Sequence, residues 1–497
     1  MSIKKIIKES YLLNRVFVSD DLVKALDNLA SHTDVVYQDF EFKSGQEFNG
    51  WVIPNNWKVI EAKIFKDGKI IYNGQDHPLG VIAYSSSYEG KISKKELIKH
   101  IHTAPKRPEA IPFHFRLQYR PWDSDWGFCM PQEKFDSLEN GEYEVKLKTI
   151  SKPGKMVSRE FTIRGESKET IIFVAHVDHP GMTNDDLSGC AVGIELLNRI
   201  KKAFPKPKYT YKLLLIQEIT GSVFYLNKLG SEKRKNIKYG VFLDTLGNNT
   251  SLGFQKSFTG STFIDKVCES VINKIIKKPR ILSFRELAGA DEIVFEAPGI
   301  EIPMVSIFRY PYPEYHTSDE NMGIIKEKKL EESVLFLLRV VEMVESSFQD
   351  RNIDVKRCNN NKKIKNIFLD DNLSRTLRTP HPLTVESQHR IFLEGFNIPP
   401  KKVRDLLKRN YYIKRCFKGL ISLANPKYDL YIDPGQIIGA NQEKNKKTAL
   451  FQYYMPRYLE GNYSLLDMAL EFKIDFDWLE NYFNKMEERG LIKKIKL

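Results

Sequence analysis

The stretch Thr170-Ile171-Ile172-Phe173-Val174-Ala175 runs directly into His176-Val177-Asp178-His179-Pro180. A continuous apolar run of this length, without polar alternation, predicts a strand buried on both faces of a sheet. Just beyond it, Thr183-Asn184-Asp185-Asp186-Leu187-Ser188-Gly189 opens a helix predicted over 187–202. Further on, strands predicted over 211–216, 239–243 and 302–308 alternate with helices over 262–277 and 326–348. Upstream, 143–147 and 159–163 read as strands. This alternation predicts an α/β fold with a mostly parallel sheet flanked by helices.

Acidic and imidazole residues recur where these strands end. His176, Asp178 and His179 follow the first run, Gln217-Glu218 the second, and Asp244 the third. Tyr315-His316-Thr317-Ser318-Asp319 follow the strand at 302–308. Ligands of open α/β sheets bind at this edge, where the loops converge. Several carboxylates gathered with two histidines call for a cation, because the charges would otherwise repel without solvation. Histidine with carboxylate ligation suits zinc, with manganese, cobalt or iron as substitutes.

The chain has 497 residues, 41% hydrophobic and 28% charged, which excludes wholesale disorder and implies several domains. No apolar run is long enough to span a membrane, and the charged start lacks signal-peptide character. Five scattered cysteines form no C-x-x-C pair, so neither a disulfide framework nor a cysteine zinc site is expected, and the chain reads as cytoplasmic. An amphipathic helical stretch over 3–29 precedes a region of short strands over 38–128 broken by Pro54-Asn55-Asn56, Lys66-Asp67-Gly68 and Asn73-Gly74. Such spacing predicts an inserted β sandwich or roll. The predicted division is residues 1–37 with 129–350 for the α/β domain, 38–128 for the β insertion, 351–379 for a basic linker, and 380–497 for a mainly helical domain.

The net charge of +13 is concentrated between Arg351 and Lys418, where seventeen Lys or Arg face six Asp or Glu. A solvated linker and helix face explains this run; it offers nucleic acid at most an electrostatic route. At the far end, Ser464 and Asp475 start two short helices, Gly490 ends the second, and 491–496 reads as a strand, the pattern of a winged helix. Ser464 to Gly490 holds seven acidic and three basic residues, which favours protein contact or pocket coverage over DNA.

The series H-x-D, N-D-D-x-S-G, a Glu before Gly221-Ser222, Asp244 ending a strand, and Y-H-T-S-D resembles the co-catalytic zinc aminopeptidases over 142–348. The blocks 44–54 and 125–129 are similar to a narrower bacterial family of aminopeptidase-like proteins. That family joins a zinc-aminopeptidase domain, an inserted β domain and a C-terminal winged helix, and some members lie near polysaccharide-biosynthesis genes. The resemblance implies two zinc ions. His176 would bind one, oriented by Asp178, with Asp244 completing its set; His316 would bind the other, and Asp185 would bridge both. Tyr315 would stabilise an oxyanion.

The resembling enzymes carry two adjacent glutamates, a general base and then a ligand, where this chain has Gln217-Glu218. Aligned directly, Glu218 is the ligand and an amide occupies the base position; shifted in register, Glu218 is the base. Asp291, beside Glu292, stands where the resemblance places an acidic turn lining the pocket, so it is a candidate substrate contact with a plain turn role as the alternative. Arg309 is a candidate clamp for a substrate carboxylate, against an ion pair with Glu314. His179, adjacent to the ligand cluster, reads as a turn residue beside Pro180 with a spare ligand as the alternative, and His100 and His102 as loop caps. The implied function is a metal-dependent amide-bond hydrolase acting on a peptide amino terminus or an N-acylated metabolite or sugar. The rival is a catalytically impaired metal-binding scaffold or regulator that uses its winged helix for protein or nucleic-acid contact. Whether the chain forms a homo-oligomer is open.

Overall fold

The strand expected from the apolar run is Thr170–His176, and every one of its residues is buried. In the computed structural model, which describes residues 2–287, 289–359, 400–431, 451–452, 454–472 and 474–496, it lies inside an eight-stranded sheet. Thr210–Ile216 and Ile237–Asp244 flank it in parallel, and Met304–Phe308 pairs in parallel with Ile237–Asp244. This four-strand parallel centre explains the lack of polar alternation, because helices cover both faces. Helices Leu187–Ala203, Phe263–Ile275 and Glu327–Asn359 pack here, with Ile194, Leu197, Val267, Leu337 and Val341 in one core with Val241 and Val305. The fold is a mixed α/β architecture with a large central sheet flanked by helices.

The edges depart from the sequence reading. Tyr37–Lys43 and Lys155–Ile163 extend the sheet antiparallel on one side; Gly253–Gln255 and Arg280–Leu282, neither foreseen, extend it on the other. Strand Glu142–Lys152, expected in the α/β domain, instead pairs with Asn56–Lys66 and Tyr88–Ser93 in a separate four-stranded antiparallel sheet. Its Tyr143, Val145 and Leu147 alternate between buried and less buried neighbours, the signature of a sheet with one packed face. They share a core with Trp57, Ala62, Ile64 and Phe128. The boundary drawn at 128/129 therefore cuts through this layer, and the one at 37/38 cuts the edge strand of the central sheet.

The single helix expected over 3–29 is two, Ile3–Lys8 and Asp20–Ala30. Ser19 interrupts it: its backbone is extended, and its side chain accepts from the Leu22 amide to cap the second helix. Val16, Phe17 and Val18 are three successive, fully buried residues, which a one-faced helix cannot provide.

Compact units divide the chain as Met1–Phe48, Val52–Glu296 and Ile302–Leu369 in the first, and Asn49–Trp51, Ala297–Glu301 and Asp370–Leu497 in the second. Helix Glu327–Asn359 enters the stretch read as a linker, whose remainder from 360 to 379 lies outside the described residues, as do Pro380 and Lys473. In the second unit, Glu460–Ser464, Tyr411–Arg415 and Ile492–Lys496 form an antiparallel sheet. Helices Leu465–Phe472 and Phe476–Glu488 pack Leu466, Leu479, Phe483 and Met486 against Ile413, and Asp475 caps the second by accepting from Trp478. Among the described residues no helix is long and apolar enough to cross a membrane.

Ser19→Ala distinguishes a capped break from a continuous helix. Loss of the cap should destabilise the protein by about 1 kcal/mol, read as a lower urea midpoint. In an uninterrupted helix, alanine would stabilise instead.

Candidate metal centre

Three adjacent parallel strands deliver donors to one place at their carboxyl ends. His176 ends the first, Glu218 follows the second by one intervening residue, and Asp244 ends the third. Asp185 precedes helix Leu187–Ala203, and its amide donates to Glu320 Oε1 at 2.9 Å. Its two oxygens face two rings: Oδ1 lies 2.8 Å from His176 Nε2, and Oδ2 lies 3.0 Å from His316 Nε2. Donor atoms of His176, His179 and Asp185 all lie within 4.8 Å of one another, and all three residues are buried. His179 Nε2 is 3.7 Å from Glu218 Oε2.

Burial dominates the electrostatics. It raises Asp178 to about 8, lifts Glu218, and pushes Asp186, Asp244 and Glu320 well above the ordinary carboxylate range. For Asp185 burial acts the same way but is outweighed by its hydrogen bonds to His176 and His316, which hold it low. Burial keeps His179 neutral, the form in which an imidazole binds metal. His176 Nδ1, His179 Nδ1, Asp178 Oδ2 and Glu320 Oε2 are buried without hydrogen-bond partners. A cation fits this donor set: it supplies the positive charge that the carboxylates lack, and nitrogen with carboxylate oxygen is zinc's preference.

Residues 4–347 match the model of a family described as a domain of unknown function, DUF4910. The chain belongs to this family. It is also 30% identical over 359 residues, 71% of this chain and 80% of the relative, to a Clostridium acetobutylicum protein provisionally named for polysaccharide biosynthesis and an aminopeptidase-like domain. Among solved structures, it is similar to one from Clostridium acetobutylicum provisionally named a peptidase. That match has 23% identity and a TM-score of 0.64, and covers 99% of this chain and 96% of that one. BSAP, a zinc aminopeptidase from Bacillus subtilis, matches at 14% identity with a TM-score of 0.52, covering 68% of this chain and 94% of that one. This DUF4910 member therefore has the aminopeptidase-like fold that its motif series resembles.

The structure gathers His176, Asp185 and His316 as a set, with Glu218 beside His179. Asp244 shares the cluster's field: after burial, repulsion from Asp185 is the next cause of its raised pKa. His179 takes the left-handed backbone of a tight bend, with φ of 79°, and its ring also faces the cluster, where a spare ligand would stand. Gln217 turns away. Its amide donates to the Val157 carbonyl and accepts from Ser158 Oγ, both on strand Lys155–Ile163. Of the pair, only Glu218 faces the histidines.

Three expected contacts take other roles. Asp178 accepts from the Glu218 amide at 2.9 Å and lies beside His179, while Asp291 Oδ2 stands 3.5 Å from His176 Nδ1. The orienting position at His176 thus falls to Asp291, which is fully buried and accepts from the Ile219 amide and Ser222 Oγ, so it is no pocket-lining substrate contact. Arg309 is no clamp either: it is fully buried, donating to the carbonyls of Leu246, Thr250 and Lys329 and to Glu332, not Glu314. Tyr315 stacks on His316 with centroids 3.9 Å apart. His100 stacks on Trp126 and His102 packs against His114.

Arg15, unmarked in the sequence analysis, holds the loop that carries Asp178 and His179. Its buried guanidinium donates to the carbonyls of Val177, Asp178, His179 and Met182, curling the chain after the strand. An arginine ahead of Val16-Phe17-Val18 was the available signal, since a cation beside a buried run must find acceptors. Arg15→Lys replaces a planar fork with a point donor. Unpaired buried carbonyls at about 1–3 kcal/mol each should lower Tm by more than about 5 °C and weaken zinc uptake. Differential scanning fluorimetry with and without added zinc reads both.

Proposed function

We propose that this protein is a cytoplasmic, metal-dependent amide-bond hydrolase acting on a peptide amino terminus or on an N-acylated metabolite or sugar. The observation that carries the reading is the Asp185 carboxylate held between the ring nitrogens of His176 and His316, at 2.8 and 3.0 Å. His176, Asp185, Asp244 and His316, with His179 and Glu218 adjoining, would hold one or two zinc ions; two suit a carboxylate with both oxygens engaged. Bound zinc would polarise the scissile carbonyl and lower the pKa of water toward 7. The chain's own residues do the rest. Glu218, whose pKa burial raises above the ordinary carboxylate value, stands beside His179 where it could move a proton. Tyr315 keeps its hydroxyl protonated, because burial raises its pKa far above neutrality, and can donate to a developing oxyanion. Asp291, 3.5 Å from His176 Nδ1, is placed to orient that ring when it binds metal.

The names of the relatives support an aminopeptidase-like chemistry, and Cys129, Cys190, Cys268 and Cys416 are free, as suits a reducing compartment. Gln217 and the basic run favour an impaired scaffold in the sequence, but the two hydrogen bonds of Gln217 to the sheet give it a structural role. Elemental analysis beside an aminoacyl-anilide assay tests the proposal. Zinc should copurify, and Asp185→Asn should lose it. Glu218→Gln should lower turnover about 10²–10⁴-fold, while Gln217→Glu should destabilise the sheet contact without raising the rate. A chain that takes up no zinc on titration would refute the site.

We assign the C-terminal helices and the strand Ile492–Lys496 to a winged-helix module that serves protein contact or pocket coverage. The net acidity of Ser464 to Gly490 supports this. No specific duplex binding is expected at physiological salt; submicromolar, salt-steep, sequence-dependent binding in a fluorescence anisotropy titration would reverse the assignment.

A further inference from the structure

A short helix, Arg116–Tyr119, lies in the chain between the inserted strands and ends against the metal centre. The Tyr119 hydroxyl donates to Glu218 Oε2, the same oxygen that stands 3.7 Å from His179 Nε2. The segment leading to it is fastened to the loop that carries His316. Arg107 pairs with Asp319, and the Ile111 amide donates to Ser318 Oγ while the Ser318 amide donates to the Ile111 carbonyl. The Phe113 amide donates to the His316 carbonyl at 2.9 Å. Phe113 then turns its ring edge-on to His179 and His316, and Phe115 packs edge-on to His316 and Tyr119. An appended layer with its own core has no need of these contacts. They reach His179, His316, Glu218 and the loop that carries His316.

We infer that Tyr119 is a positioning residue for Glu218, and that the segment from Arg107 to Tyr119 makes the inserted region part of the metal centre. The inference rests on the reading that Glu218 is among the residues that would hold the metal. A half-buried carboxylate on a loop can rotate its oxygens. One hydroxyl donating to Oε2 fixes which oxygen faces His179, and the aromatic edges of Phe113 and Phe115 hold the rings around it. Hydrogen-bond partners of ligating carboxylates typically govern metal affinity by about 10–100-fold.

Tyr119→Phe removes the hydroxyl alone, since a phenylalanine ring keeps the edge contacts with Phe17 and Phe115. Zinc is titrated into the metal-stripped full chain against a chromogenic chelator, for wild type, Tyr119→Phe, Glu218→Gln and the double variant, with Tm recorded without metal. Tyr119→Phe should hold zinc about 10–100-fold more weakly, with its metal-free Tm near that of wild type. The double variant should be no weaker than Glu218→Gln, because the hydroxyl acts only through that carboxylate. Unchanged zinc affinity in Tyr119→Phe, or losses that multiply in the double variant, would overturn the inference. A wild-type chain that binds zinc tightly but hydrolyses no amide would sink the proposed function and leave this inference standing, since the titration reads metal alone.

Discussion

Charge taken out of water at the carboxyl edge of the central sheet is the constraint that the rest of the structure serves. Asp178, Asp185, Asp186 and Asp291 are all buried there with His176 and His179. Two like charges 4 Å apart repel by about 4 kcal/mol at a protein-like dielectric, and burial adds a desolvation cost for each. The cluster persists because its carboxylates are given donors in a defined order. Asp185 takes the imidazoles, and the others take backbone amides. Those left with unpartnered oxygens, Asp178, Asp291 and Glu320, are where an added cation would relieve most.

The same hydrogen bonds tie the strand ends to one another. Asp178 receives the Glu218 amide, and Asp291 receives the Ile219 amide, so both hold the loop after strand Thr210–Ile216. Glu320 receives the Asp185 amide from the opposite side. Carboxylates that would be liabilities as isolated charges thereby become fasteners for irregular backbone, which a sheet edge cannot satisfy by itself. Arg15 does the converse for the loop after His176, offering donors to four carbonyls. Removing one of these carboxylates therefore leaves a backbone amide of a neighbouring loop unpaired.

The parallel centre of the fold was legible because its strands must be apolar on both faces, and Thr170–His176 has no other reading. His176, Asp185 and His316 were legible because polar groups at strand ends have few structural reasons to be there. What stayed hidden depended on direction rather than identity. Gln217 and Glu218 differ by one atom and adjoin in sequence, yet one faces Ser158 and the other His179. Strand Glu142–Lys152 has the right composition for either sheet, and only its alternation of Tyr143, Val145 and Leu147 betrays the antiparallel one. Tyr119 and Arg15 reach the centre from distant segments, so no local pattern announces them.

The N-D-D-x-S-G series shows why some patterns can be read at all. Asn184 accepts the Gly247 amide at 2.7 Å, and Ser188 donates to the Asn184 carbonyl while accepting the Leu246 amide. Asp186 accepts amides from His176, Gly189 and Thr245, capping helix Leu187–Ala203 while joining it to two strand ends. Gly189 is required by that cap: a Cβ there would lie 2.3 Å from Asp186 Oδ1 and 2.6 Å from the Leu243 carbonyl oxygen. Four of the five specified residues therefore build backbone, and they leave Asp185 as the one side chain free to face His176 and His316. A motif in which most positions hold the frame and one carries the chemistry leaves little room for substitution, and this is why its pattern can be read from the sequence alone.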